Sequence, residues 1–289
     1  MKRKSMIAAF LSLIALSTIF SSCSDDDNTP GAPEAKKTIN LTNNAKLGNI
    51  LTDSLGKTLY LLSVDADGTS KCFGECEVVW PVFYRANPSF GSGLDPKDFG
   101  VITRPQDNKK QTTYKGFPVY YYNKDKAAGD TNGEGLENAW FVLKPDYTIM
   151  IAHGQLVGED GIKYKSDYQP GEFASTPYFT DDRGVALYTF TKDTDKKNNY
   201  TSETDQTKNA VWPIFAGSTK PVVPSVLKAS DFETITVFGK PQLTYKGKPI
   251  YTFGRENGRG TTKGVSVPSP GIWPVATAPN IELLPPPAN

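Results

Sequence analysis

Past an N-terminal apolar run, hydrophobic and polar positions alternate over short stretches, and no segment of the mature chain sustains a helical period. The pattern predicts strands. Leu51-Thr52, the turn Asp53-Ser54-Leu55-Gly56-Lys57 and Thr58-Leu59-Tyr60-Leu61-Leu62 read as a β-hairpin. Tyr178-Phe179-Thr180 with Asp181-Asp182-Arg183-Gly184 repeats it, and Tyr114-Lys115-Gly116 predicts a tighter turn before Val119-Tyr120-Tyr121-Tyr122. Side chains alternate along a strand, so each Tyr and the residue two later share a face. With 25 Gly and 22 Pro, long helices are not expected.

The same short pattern is written four times. Gly56 to Asp65, Gly116 to Asp125, Gly184 to Asp193 and Gly247 to Glu256 each run from a glycine turn through an aliphatic residue to a Tyr, with an apolar residue two later and an acid five later. The tyrosines are Tyr60, Tyr120, Tyr188 and Tyr251, and the acids are Asp65, Asp125, Asp193 and Glu256. Downstream of each copy stands one of the four tryptophans, Trp80, Trp140, Trp212 and Trp273. Odd copies share an ending, Val79-Trp80-Pro81-Val82-Phe83 against Val211-Trp212-Pro213-Ile214-Phe215. Even copies share an entry, Thr113-Tyr114-Lys115-Gly116 against Thr244-Tyr245-Lys246-Gly247. The chain therefore reads as a tandem pair of units, each of two related halves.

This Tyr-x-[aromatic]-x-x-Asp pattern, with Gly before it and Trp-Pro after, resembles the bacterial secreted-repeat lipoproteins of unknown function. The resemblance covers roughly residues 47–152 and 176–276. Copy one departs from it with Leu62 at the aromatic place, and copy four with Glu256 at the acid place. It implies an architecture and a location, and no mechanism.

Lys2-Arg3-Lys4 precede an apolar run from Met6 to Phe20, which has the order of a secretory signal and is too short to span a bilayer comfortably. The run ends in Phe20-Ser21-Ser22-Cys23, similar to a bacterial lipobox, in which Cys23 takes the lipid and becomes the new N-terminus. The stretch Ser24-Asp25-Asp26-Asp27 with Pro30 and Pro33 predicts a solvated tether. An acidic stretch at that place resembles surface-exposed lipoproteins of the Bacteroidetes group, with a periplasm-facing tether as the alternative.

Composition removes several function classes. With 32 Lys+Arg against 31 Asp+Glu, and three of the bases in the leader, nothing points to nucleic acid. One His and three Cys exclude a three-His zinc site, a four-Cys cluster and a Cys-x-x-Cys-His haem attachment. Asp65, Asp67 and Ser70 offer alternating oxygens around Gly68, a calcium pattern without a firm distal bidentate acid. Cys72 and Cys76 are expected to pair in an exported protein. His153 reads as a surface or capped histidine, and Gly129 to Gly135 as a mobile connector able to line a binding surface. No Gly-x-Ser-x-Gly or phosphate loop is present. The repeated Tyr and Trp read as core, with an aromatic platform for a glycan or flat cofactor as the alternative.

The expectation is an all-β protein of four hairpin-based half-repeats with little helix. Its parts are a signal peptide (1–22), lipidated Cys23 with a flexible tether (23–46), repeat unit 1 (47–152), a connector (153–175), repeat unit 2 (176–278) and an extended Pro-rich tail (279–289). The functional expectation is a non-catalytic envelope lipoprotein with a binding or structural role. It would be anchored by lipid in the bacterial outer membrane, on the periplasmic or cell-surface face, with an envelope protein or other ligand as partner. No cofactor is expected beyond possible calcium. An accessory role in envelope redox or haem chemistry is the alternative. A hydrolase with paired carboxylates is a third reading, for which no spacing speaks.

Overall fold

The computed structural model describes residues 37–173, 175–279 and 281. The signal peptide, Cys23, the acidic tether and the Leu283–Asn289 tail lie outside them. Copy one opens with the antiparallel hairpin of β1 (Ile39–Asn44) and β2 (Gly48–Asp53), then β3 (Tyr60–Leu62) and the short helix α1 (Glu75–Val79). Copy two holds β4 (Phe99–Thr103), β5 (Lys110–Tyr114), β6 (Phe117–Pro118) and β7 (Trp140–Val142). Copy three comprises β8 (Met150–Gly154), β9 (Leu156–Val157), β10 (Lys163–Tyr164), β11 (Thr176–Thr180), β12 (Leu187–Thr189) and α2 (Gln206–Val211). Copy four has β13 (Phe232–Val237), β14 (Lys240–Tyr245) and β15 (Lys248–Thr252). The sheets are small and antiparallel, and the fold is all-β in character.

The tight turns follow from local chemistry. Lys115 (φ 45°) with Gly116 (φ 83°), and Lys246 (φ 47°) with Gly247 (φ 77°), are left-handed at both central positions, as a two-residue hairpin turn of type I′ requires. At the wider turns of the odd copies an aspartate does the work. Asp53 Oδ1 accepts from the backbone N–H of Leu55 and Lys57, and Asp181 Oδ1 from those of Arg183 and Val185.

Three boundaries differ from the sequence reading. The tether was expected to run to residue 46, but Ile39–Asn44 is a strand whose Ile39 is fully buried. Residues 150–154 do not close the first unit. They pair with Thr176–Thr180 as the opening hairpin of copy three, and the expected connector is a strap inserted into that hairpin, with its own β9–β10 pair. The tail was expected to leave the body at 279, yet Ile281 belongs to the core.

A fourth difference sets the architecture. The strand carrying Tyr60 continues from β2 only through a bridge, Thr52 to Thr58, and its ladder partner is β7 of copy two. Reciprocally, Val82 of copy one bridges Tyr120 of copy two. The exchange repeats at equivalent residues: Leu51 N–H donates to Leu143 O at 2.9 Å, Thr112 to Phe83 at 3.0 Å, Phe179 to Ala276 at 2.7 Å and Leu243 to Phe215 at 2.8 Å. Each half thus hands its Trp segment to its sister's sheet. A half alone would leave that edge of backbone groups unpaired, so the pair is the closed unit.

The described residues cluster as one compact unit. One core cluster joins Leu59, Phe117 and Phe141 of the first pair to Phe179, Leu243 and Ile250 of the second, and another surrounds Trp80 and Trp140. Arg259 reaches from copy four into the first pair, donating through Nε to Ala66 O (2.7 Å) and through Nη1 to Lys115 O (2.7 Å), with its guanidinium 4.3 Å from the Phe117 ring centroid. Lys115–Asp182 (2.6 Å) and Arg183–Asp98 (2.8 Å) join the pairs at the same level.

Candidate functional site

The repeated residues converge, and they do so across copies. In each pair the two Tyr strands lie antiparallel. Tyr60 and Tyr120 exchange backbone hydrogen bonds of 2.9 Å, and Tyr188 faces Tyr251 in the β12–β15 ladder. That crossing sends each phenol to the acid of the sister copy. Tyr60 donates to Asp125 Oδ2 (2.6 Å), Tyr120 to Asp65 Oδ2 (2.6 Å) and Tyr251 to Asp193 Oδ2 (2.7 Å), while Tyr188 donates to Glu256 Oε1. The acids also fix their own loops by accepting backbone N–H groups: Asp65 from Lys71, Asp125 from Asn132, Asp193 from Asn199 and Glu256 from Gly264.

Between the crossed pairs the tryptophans stack face to face. Trp80 lies on Trp140 at 3.8 Å and 4°, and Trp212 on Trp273 at 3.9 Å and 7°. Each Trp receives the edge of its own copy's Tyr at 5.0–5.4 Å. The aromatic two residues past the Tyr extends the column, Tyr122 on Trp80 at 4.3 Å, Phe190 on Trp273 at 4.4 Å and Phe253 on Trp212 at 4.6 Å. Leu62, at the corresponding place in copy one, joins the same cluster as Trp140 without a ring.

All four phenols and all four indoles are buried. Burial, followed by the neighbouring carboxylate, pushes every one of the four phenols well above its usual range. Burial also raises the carboxyls of Asp65, Asp125 and Asp193, against the opposing pull of the tyrosine hydrogen bonds. Asp65, fully buried, is pushed up to about 7.

The remaining sequence candidates have structural partners. Asp67 pairs with Lys71 Nζ at 2.6 Å, while Asp65 Oδ2 and Ser70 Oγ both hydrogen-bond to the Tyr120 hydroxyl, at 2.6 and 2.8 Å. Among the described residues no group of three or more His, Cys, Asp or Glu could hold a metal ion. His153 is buried, not at the surface, and its Nδ1 lies 2.8 Å from Ser63 Oγ. Gly129 to Gly135 is not a free connector. Gly133 is wedged against the Trp80 and Tyr60 rings, where an added Cβ would come within 2.7 Å of the indole, and Gly264 occupies the matching wedge against Trp212 and Tyr188.

Cys72 and Cys76 are joined by a disulfide with a Cα separation of 5.3 Å, packed in the Trp80–Trp140 cluster. Counted from the acid, Cys72 corresponds to Tyr200 of copy three, which lies edge-on to Trp273 at 4.8 Å. Alkylation of native protein followed by intact-mass measurement is expected to find both thiols protected until a reductant is added. Two freely alkylated thiols would show that the bond does not form in the exported protein.

Two further pairs escaped the sequence reading. Gln111 and Gln242 are fully buried beneath the even-copy tyrosines, and they donate to Val119 O (3.0 Å) and Ile250 O (2.9 Å). Their signal was available: each stands nine residues before its Tyr, as Gly133 and Gly264 each stand thirteen after it.

Residues 41–84 and 101–144 each match the model of a lipoprotein family described as a secreted repeat of unknown function. These two segments belong to that family. The matched secreted repeats begin in β1 and β4 and end just past Phe83 and Val142, so each contains a hairpin, a Tyr strand and a Trp segment. The second unit lies outside both matches and carries the same crossed contacts. No curated protein and no solved structure matches the chain. As a secreted repeat the protein belongs outside the cytoplasm, in the envelope or beyond it. No helix among the described residues is long and apolar enough to cross a membrane.

Proposed function

We propose that this chain is a non-catalytic envelope lipoprotein, held to the outer membrane by lipid on Cys23, whose repeats form a rigid body for a binding or structural role. The observation that carries the reading is the closed state of the repeated polar groups. Each of the four phenols is committed to a carboxylate and sealed beside an indole stack. Groups satisfied in this way specify a core and leave no free nucleophile or base among themselves. Neither the cleft around Leu61, Phe117 and Met150 nor the one around Asn40, Thr52 and Asp53 is lined by any of these tyrosines, acids or tryptophans. Recognition of a partner is then a matter for the exposed loops and edges.

Anchoring is tested with Cys23→Ala. The variant is expected to leave the membrane fraction and lose metabolic palmitate labelling, and continued labelling would overturn the anchor. The reading expects no resident haem or transition metal, because the chain offers one His and its Cys72–Cys76 pair is closed in a disulfide. Stoichiometric iron, copper or zinc in natively purified protein, or a Soret band, would promote the redox alternative instead.

A further inference from the structure

The chain contains two Asn-Gly dipeptides, Asn132-Gly133 and Asn257-Gly258, in the loops that follow the acids of the two even copies. Asn-Gly is chemically reactive because glycine has no Cβ to shield its backbone nitrogen from the preceding side-chain amide. The two dipeptides stand at different offsets from the acid, seven residues after Asp125 and one after Glu256, and the fold treats them differently. Asn132 donates from both its backbone N–H (2.9 Å) and its Nδ2 (3.1 Å) to Asp125 Oδ1, an acid that is itself buried. Gly133 is wedged between Trp80 and Tyr60, and its N–H points to the Tyr60 hydroxyl at 3.4 Å. Neither the amide carbon nor the attacking nitrogen is free to approach the other.

Asn257 and Gly258 are both exposed. Among the described residues no hydrogen bond engages the Asn257 side chain or the Gly258 N–H, and nothing lies within 4 Å of the place a Gly258 Cβ would take. The loop is pinned through the Gly258 carbonyl, which accepts from Thr261 Oγ1 at 2.7 Å, and beside the pair. On one side Glu256 accepts from Tyr188 and Thr261, and on the other Arg259 holds Ala66 O and Lys115 O.

We propose that Asn257 is a site of spontaneous deamidation and isomerisation in the native protein, and that the other Asn-Gly site, Asn132, is protected by its fold. The Gly258 backbone nitrogen, losing its proton, attacks Asn257 Cγ and forms the N–Cγ bond of a five-membered succinimide. The side-chain nitrogen leaves as ammonia. Water then opens the ring at either carbonyl, giving aspartate or β-linked isoaspartate, with no oxidant or cofactor involved. The β-linked product places one more carbon in the backbone between two anchors, the Tyr188–Glu256 contact and the Arg259 bridge to the first pair of copies.

The test is peptide mapping by mass spectrometry of the folded mature protein, incubated at mildly alkaline pH and sampled over time. A parallel sample is held in denaturant. In the folded protein, conversion at Asn257 is expected to be about tenfold or more faster than at Asn132, equal to a local opening cost of about 1.4 kcal/mol at the protected site. In denaturant the two sites are expected to convert at similar rates, because both are then plain Asn-Gly. Asn257→Gln is expected to abolish the conversion in its peptide, and Asp125→Asn to speed conversion at Asn132. Equal rates at the two sites in the folded protein, or an inert Asn257 in folded protein whose denatured form converts, would overturn the proposal.

Discussion

Replacing Trp80 with alanine is expected to lower the free energy of unfolding by about 3–5 kcal/mol. The indole is 5% exposed and has aromatic neighbours on three sides: Trp140 at 3.8 Å, Tyr122 at 4.3 Å and the edge of Tyr60 at 5.4 Å. Its removal leaves a slot that the surroundings cannot readily fill. Trp140 is held in the β3–β7 ladder, and the Gly133 backbone on the other side has no side chain to move in. Trp212→Ala should behave alike, since its stack on Trp273 has the same geometry. Equilibrium denaturation followed by far-ultraviolet circular dichroism gives the measurement. A loss within about 0.5 kcal/mol, the range of ordinary surface substitutions, would mean that the ring is not part of the core.

The second large effect is a dependence of stability on pH. Asp65 is fully buried and its carboxyl is pushed up to about 7, against about 4 in an unfolded chain. A group raised in the folded state contributes most when it is neutral in both states. The contribution is therefore complete below the unfolded value and is lost as pH rises through about 7. Asp125 and Asp193 are shifted in the same direction by burial. Stability should rise as pH is lowered from about 8 toward about 5, by a few kcal/mol for Asp65 alone at roughly 1.4 kcal/mol per unit. Exposed carboxylates such as Asp107 and Glu172 are shifted down and work the other way, but solvent screens them. Asp65→Asn isolates the buried group. The variant should show a flatter stability profile across that window, measured by thermal unfolding in a buffer series. An unchanged slope would show that Asp65 does not titrate there. Tyr120→Phe removes a donor to the carboxylate and should destabilise more at pH 8 than at pH 5, because only the ionised form depends strongly on that hydrogen bond.

Which residues would be core was legible along the chain. The alternation around each Tyr marks one buried face, and Tyr60 with Leu62, Tyr120 with Tyr122, Tyr188 with Phe190 and Tyr251 with Phe253 all lie against the Trp stacks. The turns were legible too, because Asp53, Asp181, Lys115-Gly116 and Lys246-Gly247 act through bonds and dihedrals within a few residues. Repetition at fixed offsets established that four copies share one local plan, and Gln111 and Gln242 obey it too, each nine residues before its Tyr. Partnership is a different kind of information. Tyr60 stands five residues before Asp65, yet it donates to Asp125, because the antiparallel bridge to Tyr120 carries each ring toward the other copy's loop. An alternating strand specifies that a face must be covered. It does not specify by what, since the covering residues are distant in sequence and are chosen by the fit of whole surfaces. For the same reason the exchanged Trp segments, the burial of His153, the closing of Gly133 against an indole and the reach of Arg259 into the first pair were decided only when the four copies packed together.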